Sequence, residues 1–282
     1  MAAPTRRART ALTEALHQAR RHANLTGSTL AERLGVGWAQ PKVSKIESGR
    51  QLPTVEEVRS WAKATDANPG QLLALHARAM HEYQTFRDSY PLEGGPDQHQ
   101  EAYGAAERAA TTINGFQPSI VHGLLQTPQY ARHLLRLPGG PGDHGATNDE
   151  IDRMVAARMR RAAILYEPGR KTAILIGEAA LHNRVGSTEV MNEQLEHIAR
   201  LATTASHAKI GIVPFRSFPV LIQHGWDQRD QIVTLETTAG DLEIADPIEV
   251  AQYERWAGIQ LKAAKTGQAA AELCHNTAAD LV

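Results

Sequence analysis

A chain of 282 residues with 42% hydrophobic content is long enough for two domains and apolar enough to bury a sizeable core. It contains no run of about 18 apolar residues, which excludes an ordinary transmembrane helix, and its one cysteine, Cys274, excludes an intrachain disulfide and an all-cysteine metal site. The net charge of −1 is unevenly spread: residues 1–90 hold 13 Lys/Arg against 8 Asp/Glu, a balance of +5, and the remainder is −6. A basic module on an acidic body fits a nucleic-acid reader joined to a domain of another kind. The opening Met1–Arg7 lacks the apolar stretch of a secretory signal. With the single cysteine, this leads us to expect a cytoplasmic protein.

The first predicted helix runs from Ala11 to Ala23, with Leu12, Ala15, Leu16, Ala19 and Ala23 on one face. Arg20, Arg21 and His22 crowd its C-terminal end, where the helix dipole favours cations. Thr26 or Ser28 can cap a second helix, Ser28–Leu34, which buries Leu30, Ala31 and Leu34 and stops at Gly35. A third helix begins near Gln40 with Pro41 in its first turn and ends at Gly49. Val43 and Ile46 face inward, leaving Gln40, Lys42, Ser44 and Lys45 outside. Pro53-Thr54 opens a fourth helix, Val55–Thr65, with Val55, Val58, Trp61 and Ala62 inward. Asn68-Pro69 opens a fifth, which carries Leu72, Leu73, Leu75 and Ala79 and extends to about Phe86.

Pro and Gly from Ser89 to about His99 mark a boundary. Glu101–Ala110 reads either as an added helix or as the start of a second domain. Beyond it, Thr127-Pro128 is a cap followed by Pro at the first helical position, Pro138–Gly142 is a loop, and a longer helix spans Asn148–Tyr166. Thr172–Ile176 reads as a buried strand. Glu178–Arg184 and Ser187–Thr204 read as helices, and Lys209–Phe215 as a strand. Further strands are expected at Phe218–Gln223, Gln231–Glu236 and Asp241–Ala245. Helices from Pro247 to Ala264 and from Thr266 to His275 close the chain.

The order Leu30-Ala31-Glu32-Arg33-Leu34-Gly35, then Lys42-Val43-Ser44-Lys45-Ile46-Glu47-Ser48-Gly49-Arg50, then Pro53-Thr54 resembles the helix-turn-helix of the XRE (Cro/C1-type) regulators. The turn Val36–Ala39 is about two residues longer than the commonest version. The resemblance implies DNA binding through a recognition helix over about 40–48 in the major groove. Gln40 takes the place of a base-reading Gln, whose amide suits adenine N6 and N7. Lys42 and Lys45 face guanine or phosphate, and Ser44 either. Arg50 and the backbone at helix starts hold phosphates. Pro41 and Thr29 complete the DNA-facing set. Glu47 is implied to turn inward and pair with Arg20, because an outward carboxylate would repel phosphate.

In the larger part, Gly123-Leu124-Leu125-Gln126-Thr127-Pro128-Gln129-Tyr130-Ala131, Gly177-Glu178-Ala179-Ala180-Leu181, Asn192-Glu193-Gln194-Leu195 and Ile212-Val213-Pro214-Phe215 resemble the uncharacterised, antitoxin-like domain that follows the helix-turn-helix in many actinobacterial XRE regulators. The expected architecture is an all-α five-helix domain over 1–88, a linker over 89–100 and an α+β domain over 101–282. The expected function is transcriptional regulation as a homodimer. The large domain would dimerise, bind a small partner protein or sense a small-molecule effector. The alternative is an antitoxin-like protein binder whose DNA contact mainly autoregulates. No His-Glu-x-x-His, phosphate loop, dinucleotide turn or Gly-x-Ser-x-Gly occurs, so no catalysis, metal or cofactor is expected. His122, His182, His197, His207 and His224 are scattered, and Glu167 and Glu178 flank the first predicted strand of this domain. Trp226, Tyr253 and Trp256 fit either a ligand pocket or ordinary core packing.

Overall fold

Helix α1, Arg7–His22, starts four residues before the expected Ala11 and buries Leu12, Leu16 and Ala19. The computed structural model describes residues 7–85, 95–140, 143, 145–217, 219–221, 224–237 and 240–281. The chain divides into two compact units: one runs to Glu82 and includes Glu243–Asp246, and the other holds the rest.

In the smaller unit, α2 (Gly27–Leu34), α3 (Gln40–Glu47), α4 (Val55–Thr65) and α5 (Pro69–Met80) follow α1. Thr26 caps α2 and Thr54 caps α4, each in a reciprocal capping box. Their shared core holds Leu12, Leu16, Leu30, Val43, Ile46, Val58 and Trp61. Trp61 is anchored there because its indole Nε1 donates to the Leu16 carbonyl at 3.2 Å. Val55, expected inside, is exposed. It opens α4 beside the cap, and the buried stripe begins only at Val58 and continues through Trp61, Ala62 and Thr65. Helix α5 ends at Met80 instead of reaching Phe86, which lies outside the described residues. His81–Thr85 is strand β1.

The larger unit is α+β. Helix α6 (Pro96–Ala109) begins inside the expected linker, with Pro in its first turn; residues 89–94 of that linker lie outside the described residues. Strand β2 (Thr112–Gln117) was not expected, since Asn114 and Gly115 are poor strand formers. It forms because it is paired on both edges, parallel to β3 (Lys171–Gly177) and antiparallel to β5 (Trp226–Arg229). Between β2 and β3 lie α7 (Pro128–Leu135), α8 (Asn148–Arg161) and a 3-10 segment, Ala162–Tyr166, that ends the predicted long helix early. Then come α9 (Ala179–His182), α10 (Thr188–Thr204) and β4 (Ala208–Val213), which runs parallel to β3.

Strands β6 (Ile232–Glu236) and β7 (Gly240–Ile244), helix α11 (Pro247–Ala263), strand β8 (Lys265–Thr266) and helix α12 (Gly267–Ala279) complete it. Within this unit the strand order is β7-β6-β5-β2-β3-β4-β8. Of the strand expected over 218–223, residues 218, 222 and 223 lie outside the described residues and Pro219–Leu221 is not strand. The main core sets Ile113, Ile174, Ile176, Ile210 and Ile212 of the sheet against Leu195 and Ile198 of α10 and Ala270 and Cys274 of α12. Among the described residues, no helix is long and apolar enough to cross a membrane.

Candidate nucleic-acid interface

The first turns of α2 and α3 meet. A Cβ on Gly27 would stand 3.4 Å from Gln40 Cγ and 3.8 Å from Val43 Cγ1, so the start of the second helix lies within van der Waals reach of the third. At the start of α3, Pro41 has no N–H and the Lys42 and Val43 N–H groups donate to the Ala39 carbonyl. At the start of α2 the Thr29 N–H donates to Thr26 Oγ1, so the Gly27, Ser28 and Gln40 N–H groups are left for an anion. Beside them a groove of about 370 Å³, lined by Thr13, His17, Arg20, Gln40 and Ser44, separates α1 from α3.

Gln40, Pro41 and Lys45 are exposed on α3 and Ser44 is half-buried, while Val43 and Ile46 are sealed beneath. The helix stops where Gly49 takes the left-handed conformation, φ +71°. The Arg50 N–H then donates to the Lys45 carbonyl at 2.9 Å. Arg50 is exposed on this exit, its Nε donating to Ser48 Oγ at 2.9 Å.

Arg20 and Glu47 lie together under the helix. Arg20 Nε donates to Glu47 Oε1 at 2.6 Å and Nη2 to Oε2 at 2.9 Å, a bidentate pair only 14% exposed on each side. Arg20 Nη1 donates to the Leu25 carbonyl at 2.8 Å, tying the α1–α2 turn into the same contact. The hydrogen bond to Glu47 raises the Arg20 pKa above its ordinary value.

Two residues expected to face DNA also make contacts within the module. Lys42 Nζ sits 2.6 Å from Glu57 Oε1 and 4.6 Å from the Trp38 ring centroid. Glu57 Oε2 accepts from the Thr54 N–H, so Lys42 ties α3 to the cap of α4. Thr29 spends its hydroxyl on the α2 cap, accepting from the Thr26 N–H at 2.8 Å. The long turn between the helices rests on Gly35 and Gly37, at φ +84° and +87°, and on Trp38, whose ring meets Trp61 edge-on at 5.8 Å. A side chain at either glycine would meet no neighbour, so backbone conformation alone selects glycine there.

Residues 11–75 match the family model of a helix-turn-helix domain. Residues 100–276, more than half of the chain, match that of a domain of unknown function, DUF5753. The chain belongs to the DUF5753 family. No curated protein and no solved structure matches it.

The DUF5753 part holds a polar network that sequence reasoning missed. His122 Nδ1 accepts from the Leu124 N–H at 3.2 Å, which places the ring proton on Nε2, 2.6 Å from Asp227 Oδ1. The Tyr103 hydroxyl donates to Asp227 Oδ2 at 2.7 Å, and two guanidiniums lie over its ring, Arg229 at 3.9 Å and Arg161 at 4.6 Å from the centroid. Arg161 is bound bidentately by Glu107, at 2.7 and 2.8 Å. Burial pushes Asp227 up, but His122, then Tyr103 and Arg229, outweigh it and hold the carboxyl at about 2. A Cβ on Gly115 would stand 2.6 Å from both Asp227 Oδ1 and His122 Nε2. Only glycine fits there, and because the strand itself was not legible the sequence carried no signal of this close approach.

The other candidates resolve separately. Trp226, Tyr253 and Trp256 do meet, edge to face at 5.3 and 4.8 Å, with Trp226 and Tyr253 buried. Glu167 pairs with Arg170 and Glu178 accepts from the Phe215 N–H, so the two carboxylates act in different contacts. Burial, then Glu196, pushes the Cys274 thiol up to about 12. Such a thiol is inert.

Proposed function

We propose that the chain is a sequence-specific DNA-binding transcription regulator of the XRE type that works in the cytoplasm, associated with the nucleoid, without catalysis of its own. The observation that carries this reading is the meeting of the first turns of α2 and α3 beside exposed Gln40 and Lys45 and half-buried Ser44, within a helix-turn-helix match. A phosphate oxygen fits the N–H groups at the start of α2 and sets the register, and Gln40 reads a base edge. Arg50 adds a phosphate contact at the exit of the helix. Lys42 and Thr29 support the interface from within the module. A homodimer on paired half-sites suits this reader, and the DUF5753 part is the element that dimerises or senses a partner or effector.

Fluorescence anisotropy with the gene's own upstream DNA tests the proposal. Binding should weaken steeply with salt, with a slope set by the phosphates neutralised. Gln40→Ala should weaken binding to the specific site by about 1–3 kcal/mol and barely change binding to random duplex. Absence of salt-sensitive binding would remove the reader role, and equal losses on both DNAs would reduce Gln40 to a positioning residue.

A further inference from the structure

Arg158, on α8, is only 8% exposed. Its Nη1 donates to a neutral amide, Gln126 Oε1, at 2.9 Å, and its buried Nε has no partner. Glu236 and Glu107 reach it through space only, and among the described residues no carboxylate forms an ion pair with it. Its neighbour one turn on, Arg161, takes both oxygens of Glu107. Of these two buried guanidiniums, only Arg161 holds a carboxylate. Leaving a buried charge unpaired costs several kcal/mol, which a bound anion would offset. Burial, then the charge of Arg161, lowers Arg158 to about 10, which leaves it cationic at neutral pH.

There is also room beside it. Gly123 opens the 3-10 turn Gly123–Leu125. A Cβ there would stand 3.9 Å from Arg158 Nε and 3.9 Å from Arg161 Nη2, ordinary contact with no clash. A methyl-sized space therefore adjoins both guanidiniums. The planar fork of arginine matches carboxylate and phosphate oxygens.

We propose that Arg158, with Gln126, Gly123 and Arg161 around it, anchors an oxyanion-binding site in the DUF5753 part, which takes a small molecule by a carboxylate or phosphate group. The site stands apart from the DNA reading and is tested without DNA. The full chain is melted in rising inorganic phosphate or acetate, with chloride at matched ionic strength as reference. A saturable rise in Tm beyond chloride is expected for at least one anion. Phosphate alone assigns a phosphate monoester, acetate alone a carboxylate, and both their shared chemistry.

Arg158→Met keeps the volume and removes the stranded charge, so it should fold and bind the anion at least about tenfold more weakly, as expected for one charge-assisted hydrogen bond. Gly123→Ala fills the space and should weaken the response while leaving the anion-free Tm near that of the parent. The proposal is overturned if neither anion acts beyond chloride, or if Arg158→Met responds like the parent. It is also overturned if Arg158→Met and Glu236→Gln lower stability equally and non-additively, which would pair those residues with each other.

Discussion

Lys42 and Lys45 stand three apart on one short helix, yet their surroundings assign them different work. Lys42 is drawn down to Glu57 and the Trp38 ring, while Lys45 is exposed on the outer face. Under the DNA-binding reading, Lys45→Ala should lower the salt slope of binding by about one phosphate contact. Lys42→Ala should leave that slope unchanged and remove up to about 1 kcal/mol of stability, because its ion pair is partly exposed. Anisotropy across a salt series, paired with urea denaturation, reads both quantities. A fall in slope for Lys42→Ala would return it to the DNA face. Spacing could not separate the two lysines, because the choice lies in Glu57 and Trp38, which the chain brings in from outside the helix.

At the level of elements, the five-helix module was legible because local signals agree. Capping threonines, Pro41 in a first turn, Gly49 as a stop and apolar residues at three- and four-residue spacing all specify the same short helices. The contact that locks α3 onto α1 is the Arg20–Glu47 pair, which joins residues 27 apart. The family resemblance, and no rule of spacing, pointed to it. Because both side chains are mostly shielded, Glu47→Gln should cost on the order of 3 kcal/mol by stranding the guanidinium. The measurement is chemical denaturation of the full chain followed by helical circular dichroism. An unchanged midpoint would mean that the pair carries no net stability. Strand β2 was illegible for the opposite reason: Asn114 and Gly115 argue against a strand locally, and only pairing with β3 and β5 overrides them.

Across the whole molecule, the least legible feature is the network that joins α6, the His122 turn, α8 and β5. Its hydrogen bonds span 105 residues from His122 to Asp227 and 124 from Tyr103 to Asp227, so no window of sequence contains it. The chain's response to acid exposes its weight. Asp227 titrates at about 2 in the fold and near its ordinary 3.8 when unfolded, since His122, Tyr103 and Arg229 favour its charged form there. A carboxyl lowered in the folded state stabilises above its unfolded value and loses that contribution as pH falls through the folded one. The stabilisation, about 2 kcal/mol, should be complete above about pH 4, decline toward pH 2 and vanish below it. Asp227→Asn has no such proton to take up. Urea denaturation at steps between pH 5 and pH 2 should show the parent losing about 2 kcal/mol more than the variant over that range. Parallel decline of the two would mean that His122 and Tyr103 do not hold Asp227 as an anion, and the network would then count only as packing.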